Sequence, residues 1–117
     1  MAEVESSVIN IARRFLDTLG GKKRIIAAYL YGSYARGRAS EWSDIDVAVV
    51  SSDFTPDLLR ERVSLMEIAA TIDPRLDPKP FRPQDFILDD PLVYEIQLTG
   101  MLLTVSNGQY DMTPTGT

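Results

Sequence analysis

The chemistry in this sequence concentrates between Tyr29 and Val50, which reads YLYGSYARGRASEWSDIDVAVV. Asp44 and Asp46 stand one residue apart, and ten residues separate Ser33 from Asp44. Along a β-strand, residues i and i+2 share a face, so these two carboxylates project together about 7 Å apart at the backbone. Their oxygens can then converge on one hard cation. Gly32 lets a ligand approach the backbone, and Ser33 adds a hydroxyl beside backbone N–H groups. A phosphate-holding turn next to a carboxylate pair meets the needs of a nucleoside triphosphate carrying Mg²⁺. Taken singly, Asp-x-Asp reads as a solvated strand end and Gly-Ser as a turn. Their joint spacing, with both at strand ends, is what points to chemistry.

The elements that must position these groups are short. The apolar run Ile25–Tyr31 stops at Gly32, and Val47–Val50 forms a second run after the carboxylates; both predict buried strands. Between them, Ser33 to Glu41 predicts a short helical turn whose first N–H groups face the anion. Arg36 on this turn is placed to contact phosphate or to brace the loop against a carboxylate, and Trp42 is expected as a half-buried lid. Upstream, Val8, Ile11, Ala12, Phe15 and Leu19, with Val4 a turn earlier, predict an amphipathic helix over 5–19 that stops at Gly20-Gly21. Downstream, Thr55-Pro56 reads as an N-cap and first-turn pair. Leu59, Val63, Met66 and Ala70 then trace the inward face of a helix, broadened by Leu58, Leu65 and Ile68. Residues 74–81, PRLDPKPF, predict a strand that lies at an edge or projects past its neighbour, because prolines cannot donate to a ladder. After a loop over 82–90, Asp90-Pro91 opens a helix through Leu98, and 101–105 forms a last strand. The order predicts an α/β (α+β) fold, a sheet layered with helices. One domain over 1–105 and a flexible tail at 106–117 are expected.

A cation site of this kind needs a third carboxylate, and Asp73, Asp77, Asp85, Asp89 and Asp90 are the candidates. Asp90 is explained as an N-cap, Asp85 and Asp89 fall in a loop, and Asp73 precedes Pro74 at a helix end. Asp77 lies mid-strand, with Arg75 and Lys79 on the same face. With no histidine in the chain, acid–base work falls to carboxylates, Lys or Tyr. Asp77 is therefore expected as the third metal ligand or general base, with Asp73 as the alternative.

The segment GSYARGRASEWSDIDVAV, with Gly-Ser, ten residues and then Asp-Ile-Asp, resembles the signature of the DNA polymerase β-like nucleotidyltransferases. Within that superfamily the chain is similar to the minimal nucleotidyltransferases, the MNT antitoxins. The resemblance implies a nucleotidyltransferase core with a small mixed β-sheet of about four strands. It also places the family's third acidic position on the strand after the long helix, and Arg36 in the family's Ala-Arg-Gly triplet. The site then comprises Gly32, Ser33 and Arg36 at the nucleotide, with Asp44, Asp46 and Asp77 holding one or two Mg²⁺ ions. The implied reaction is AMP transfer from ATP to a tyrosine of a HEPN-domain toxin. Two other readings fit the same residues: an antitoxin that neutralises by binding alone, and an aminoglycoside-type enzyme lacking its usual extra domain.

Composition narrows these readings. A chain of 117 residues, 44% hydrophobic, has room for one core. A net charge of −5 argues against direct binding of nucleic acid and favours a basic protein partner. The absence of cysteine removes disulfides and thiolate sites. No apolar segment approaches the length of a membrane span and the N-terminus is acidic, so a cytoplasmic location is expected.

Overall fold

The structure, a computed structural model, describes residues 5–105. Val4 and the expected tail at 106–117 lie outside the described residues. The elements run α1 (Ser6–Gly20), β1 (Ala27–Tyr31), β2 (Ile45–Val50), α2 (Leu58–Ala70), β3 (Leu76–Phe81), a 3₁₀ turn (Pro83–Asp85), α3 (Pro91–Thr99) and β4 (Met101–Val105). The strands form one mixed sheet in the order β3-β2-β1-β4. β1 pairs antiparallel with β2 and β4, whereas β2 and β3 are parallel and α2 spans between them.

Alternation along the strands sorts the core into two layers. Ala28, Leu30, Ile45, Val47, Val49 and Leu76 pack with Val8, Ala12, Phe15 and Leu19 of α1 and with Leu65 and Ala69 of α2. On the other face, Ala27, Ala48, Val50 and Phe81 meet Val93 and Ile96 of α3. Strand parity places Tyr31, Asp46 and Asp77 on this second face. Pro78 and Pro80 lie in β3, at the edge of the sheet, whose outer side has no neighbour among the described residues. Asp90 caps α3, its carboxylate accepting from Leu92 N–H at 2.8 Å.

Four expectations are corrected. Residues 32–37 form turns rather than a helix, because Gly37 takes a φ of 74° that an α-helix excludes. Trp42 is 83% exposed and covers nothing in the described residues. The N-cap of α2 is Asp57 instead of Thr55, its carboxylate accepting from Arg60 N–H, and the helix starts at Leu58. The inward face of α2 is Glu61, Leu65 and Ala69, with Leu58 and Ile68 half-buried beside them. Leu59, Val63 and Met66 point to solvent. Glu61 tips that choice: its carboxylate accepts from Thr55 N–H at 2.9 Å and lies 3.7 Å from Lys23, so it is buried with partners.

This rotation of α2 has a measurable consequence. Leu65→Ala is expected to cost about 2–5 kcal/mol in chemical denaturation, as buried leucines do. Leu59→Ala should stay within about 0.5 kcal/mol. The reverse ranking would restore the other face.

Candidate active site

The site begins where β1 ends. Gly32 adopts a φ of 78°, and a Cβ there would overlap Oδ2 of Asp46. Glycine is required twice over at this position, for its conformation and for the space its missing side chain leaves to the carboxylate. The turn is closed by Arg36 N–H donating to Gly32 C=O at 3.1 Å and Arg38 N–H to Ser33 C=O at 2.9 Å. The loop then tightens through Ser40 and Ser43, with Ser40 N–H donating to Ser43 Oγ at 2.8 Å. Ile45 N–H donates to Arg75 C=O at 2.7 Å, which fixes the start of β2 against the start of β3.

That pinning sets the carboxylates in register. Asp46 lies opposite Asp77 in the parallel β2–β3 ladder, and Asp44 immediately precedes β2. Ligand oxygens of Asp44, Asp46 and Asp77 all lie within 4.8 Å of one another. Asp44 is exposed, while Asp46 and Asp77 are half-buried. The Asp46 carboxyl is pushed up to about 6 by its burial, then by the negative charges of Asp77, Asp44 and Glu95, against which Arg36 acts. Three hard oxygen donors that repel one another this closely suit a divalent cation, whose charge would relieve them. The residues present fit an Mg²⁺ site.

Asp73 is elsewhere and occupied. Its carboxylate accepts from Arg75 through the backbone N–H at 2.8 Å and through the guanidinium, a pairing that holds it below the usual carboxylate range. Arg36 forms an ion pair with Glu95 of α3 at 3.1 Å, the bracing arrangement. Three neighbours had no motif to reveal them. Arg62 of α2 donates to Asp77 Oδ1 at 2.7 Å. Glu95 adds negative potential at Asp46. Tyr31, opposite Asp46 across the β1–β2 pair, has its phenol pushed up by burial and by Asp46 and Asp77, so it stays protonated. Their partners lie far apart in sequence. The only available signal was parity: Tyr31 belongs to the same sheet face as the carboxylates.

The raised Asp46 carboxyl makes a pH prediction. The unfolded carboxyl titrates near about 4 and the folded one near about 6, so the folded state holds the extra proton between these values. Its contribution to stability is fully present below about 4 and is lost as pH rises through about 6. Allowing for solvent screening, the loss is about 1 kcal/mol. Melting wild type and Asp46→Asn in chelator across that window should show the difference; parallel pH profiles would refute it.

Comparison with known proteins bears on the family and the fold. A family model described as polymerase beta, nucleotidyltransferase matches residues 15–107. No curated protein matches. Among solved structures, a Sulfolobus solfataricus protein assigned as a nucleotidyltransferase aligns with a TM-score of 0.61 at 18% identity, covering 82% of this chain and 78% of its own. A toxin–antitoxin with AMP-PNP aligns with a TM-score of 0.60 at 24% identity, over 88% of this chain and 77% of that one. The toxin–antitoxin MntA-HepT follows at 0.55 and 21% identity, over 92% and 76%. At such identities these likenesses speak for the fold.

Proposed function

The chain belongs to the polymerase β nucleotidyltransferase family, and on that premise we propose that it transfers AMP from ATP to a hydroxyl, a tyrosine, of a partner HEPN toxin. It would thereby act as the antitoxin of a toxin–antitoxin pair, in the cytoplasm. The observation that carries this reading is the meeting of Asp44, Asp46 and Asp77 beside the Gly32 turn. The resemblance of the fold to toxin–antitoxin complexes, one of them with AMP-PNP, supports the choice of partner and nucleotide.

In this proposal Asp44, Asp46 and Asp77 would hold the cation, and Gly32 and Ser33 would receive the phosphates. Bound Mg²⁺ supplies charge neutralisation on the triphosphate and on the departing pyrophosphate. Arg36, paired with Glu95, sets a positive charge against those of the carboxylates at Asp46. The acceptor oxygen bonds to the α-phosphorus, the bond to the bridging oxygen breaks, and pyrophosphate leaves with the electron pair. The hydroxyl proton passes to Asp77 as general base. Arg62, paired to Asp77, fixes the orientation of that carboxylate.

The experiment is incubation with ATP, Mg²⁺ and the adjacent gene's product, followed by mass spectrometry of that protein. AMP addition is expected with wild type and with Asp73→Ala, and is expected to vanish with Asp77→Ala. If Asp73→Ala alone stopped transfer, the third-carboxylate assignment would be wrong.

A further inference from the structure

Beside the carboxylates, on the β3 side, lies a cavity of about 790 Å³. Leu58, Leu59, Phe81 and Ile87 contribute to its apolar walls. Arg62 lines it and donates to Asp77 Oδ1 at 2.7 Å, so one side chain links the cavity to the carboxylates. Leu59 and Ile87 are 77% and 49% exposed, which leaves two large apolar side chains facing water in the free chain. Asp85, Asp89 and Asp90 also line the cavity.

We infer that this cavity is where the acceptor docks, and that its occupant is a peptide segment of a protein, apolar at its centre and flanked by Lys or Arg. The inference rests on the nucleotidyl-transfer reading and adds where, and by what chemistry, the acceptor is recognised. Position follows from topology. The Gly32–Ser33 turn ends β1, whereas Asp77 lies on β3, with β2 between them. In an in-line displacement the attacking oxygen enters opposite the leaving group. With pyrophosphate toward the turn, the acceptor must come from the β3 side, where the cavity opens.

The occupant follows from the lining. The apolar part of the lining, Leu58, Leu59, Pro80, Phe81, Ile87 and Pro91, offers a polyhydroxylated molecule nothing to bond and suits an apolar group. A peptide side chain with an apolar body fills such a space and covers Leu59 and Ile87. Both signs of charge line the cavity. Arg62 pairs with Asp77, Asp85 is neutralised by Arg82 at 2.8 Å, Asp90 is engaged as a helix cap, and Lys79 balances exposed Asp89, so the bias comes from the chain's net charge of −5. Cations on the segment are therefore favoured over anions.

The test uses a fluorescein-labelled peptide in which a tyrosine sits between two leucines and two lysines flank each side. A comparator carries glutamates in place of the lysines. The wild-type chain should bind the basic peptide and discriminate against the acidic one. Leu59→Ser/Ile87→Ser, a surface double variant with no change of charge, should weaken binding at least about tenfold, and Asp89→Lys about threefold or more. Affinity for an ATP analogue with Mg²⁺ should stay within about twofold in both variants. The proposal is overturned if the basic peptide does not bind, if both variants bind it as wild type does, or if the double variant loses the ATP analogue as well. That last result would make the cavity a nucleobase site. Displacement of the peptide by an aminoglycoside would equally overturn it. Binding of the peptide without AMP transfer would sink the enzymatic reading and leave the docking site standing.

Discussion

With Asp44 and Asp46 both replaced by Asn, nucleotidyl transfer should fall by about 10³-fold or more while the metal-free fold gains stability. The two effects have one cause. Asp44, Asp46 and Asp77 present oxygens within 4.8 Å of one another, and Asp46 resists ionisation because of its burial and its acidic neighbours. Removing two of three negative charges relieves that repulsion, so the melting temperature in chelator should rise. The same change removes the donors that would hold a divalent cation, and losing charge stabilisation at a phosphoryl centre costs orders of magnitude in rate. Stabilisation of wild type by Mg²⁺, which follows the ratio of its concentration to its Kd, should disappear in the variant. Full activity in the double variant would remove the cluster from the mechanism.

Gly32→Ala carries the second large effect. A left-handed backbone costs an L-residue about 1–2 kcal/mol, and the new methyl would overlap Oδ2 of Asp46. Relief requires the turn or the carboxylate to move, and a displacement of about 1 Å at a reacting centre costs about 10²-fold. Transfer should therefore drop by about that factor although no polar group has been removed. Gly20→Ala is the control. A Cβ at Gly20 meets nothing within 4 Å, so activity there should be unchanged. Circular dichroism of Gly32→Ala must show the wild-type fold; if its activity is also wild type, the contact between turn and carboxylate is not what sets the site.

How far the sequence revealed the molecule depended on whether a residue's role was local. Asp90-Pro91 announced its helix because capping is decided within three residues. The prolines of β3 announced an edge or an overhang because a missing N–H cannot be supplied from elsewhere. Asp77 could be preferred to Asp73, which shares its strand parity, because it falls mid-strand and not before a proline at a helix end. The inward face of α2 was not legible in the same way. LLRERVSLMEIAA offers two overlapping apolar stripes, and the choice between them came from Glu61 reaching Thr55 and Lys23, partners on other elements. The turn after Gly32 misled because Ser33–Glu41 has ordinary helical residues around a Gly37 that takes positive φ. Arg62 and Glu95 were missed for the same reason as Glu61: each acts through an ion pair with a residue of a distant element.

The central claim, that the carboxylate cluster moves a nucleotidyl group, is tested most directly by the position of the label in ATP. The chain, Mg²⁺ and the acceptor protein are incubated with ATP radiolabelled at either its α- or its γ-phosphate. Label from the α-phosphate should appear on the acceptor, and label from the γ-phosphate should leave as pyrophosphate; neither should reach the acceptor with Asp44→Asn/Asp46→Asn. Label from the γ-phosphate on the acceptor, or α-label transferred by the double variant, would contradict the account.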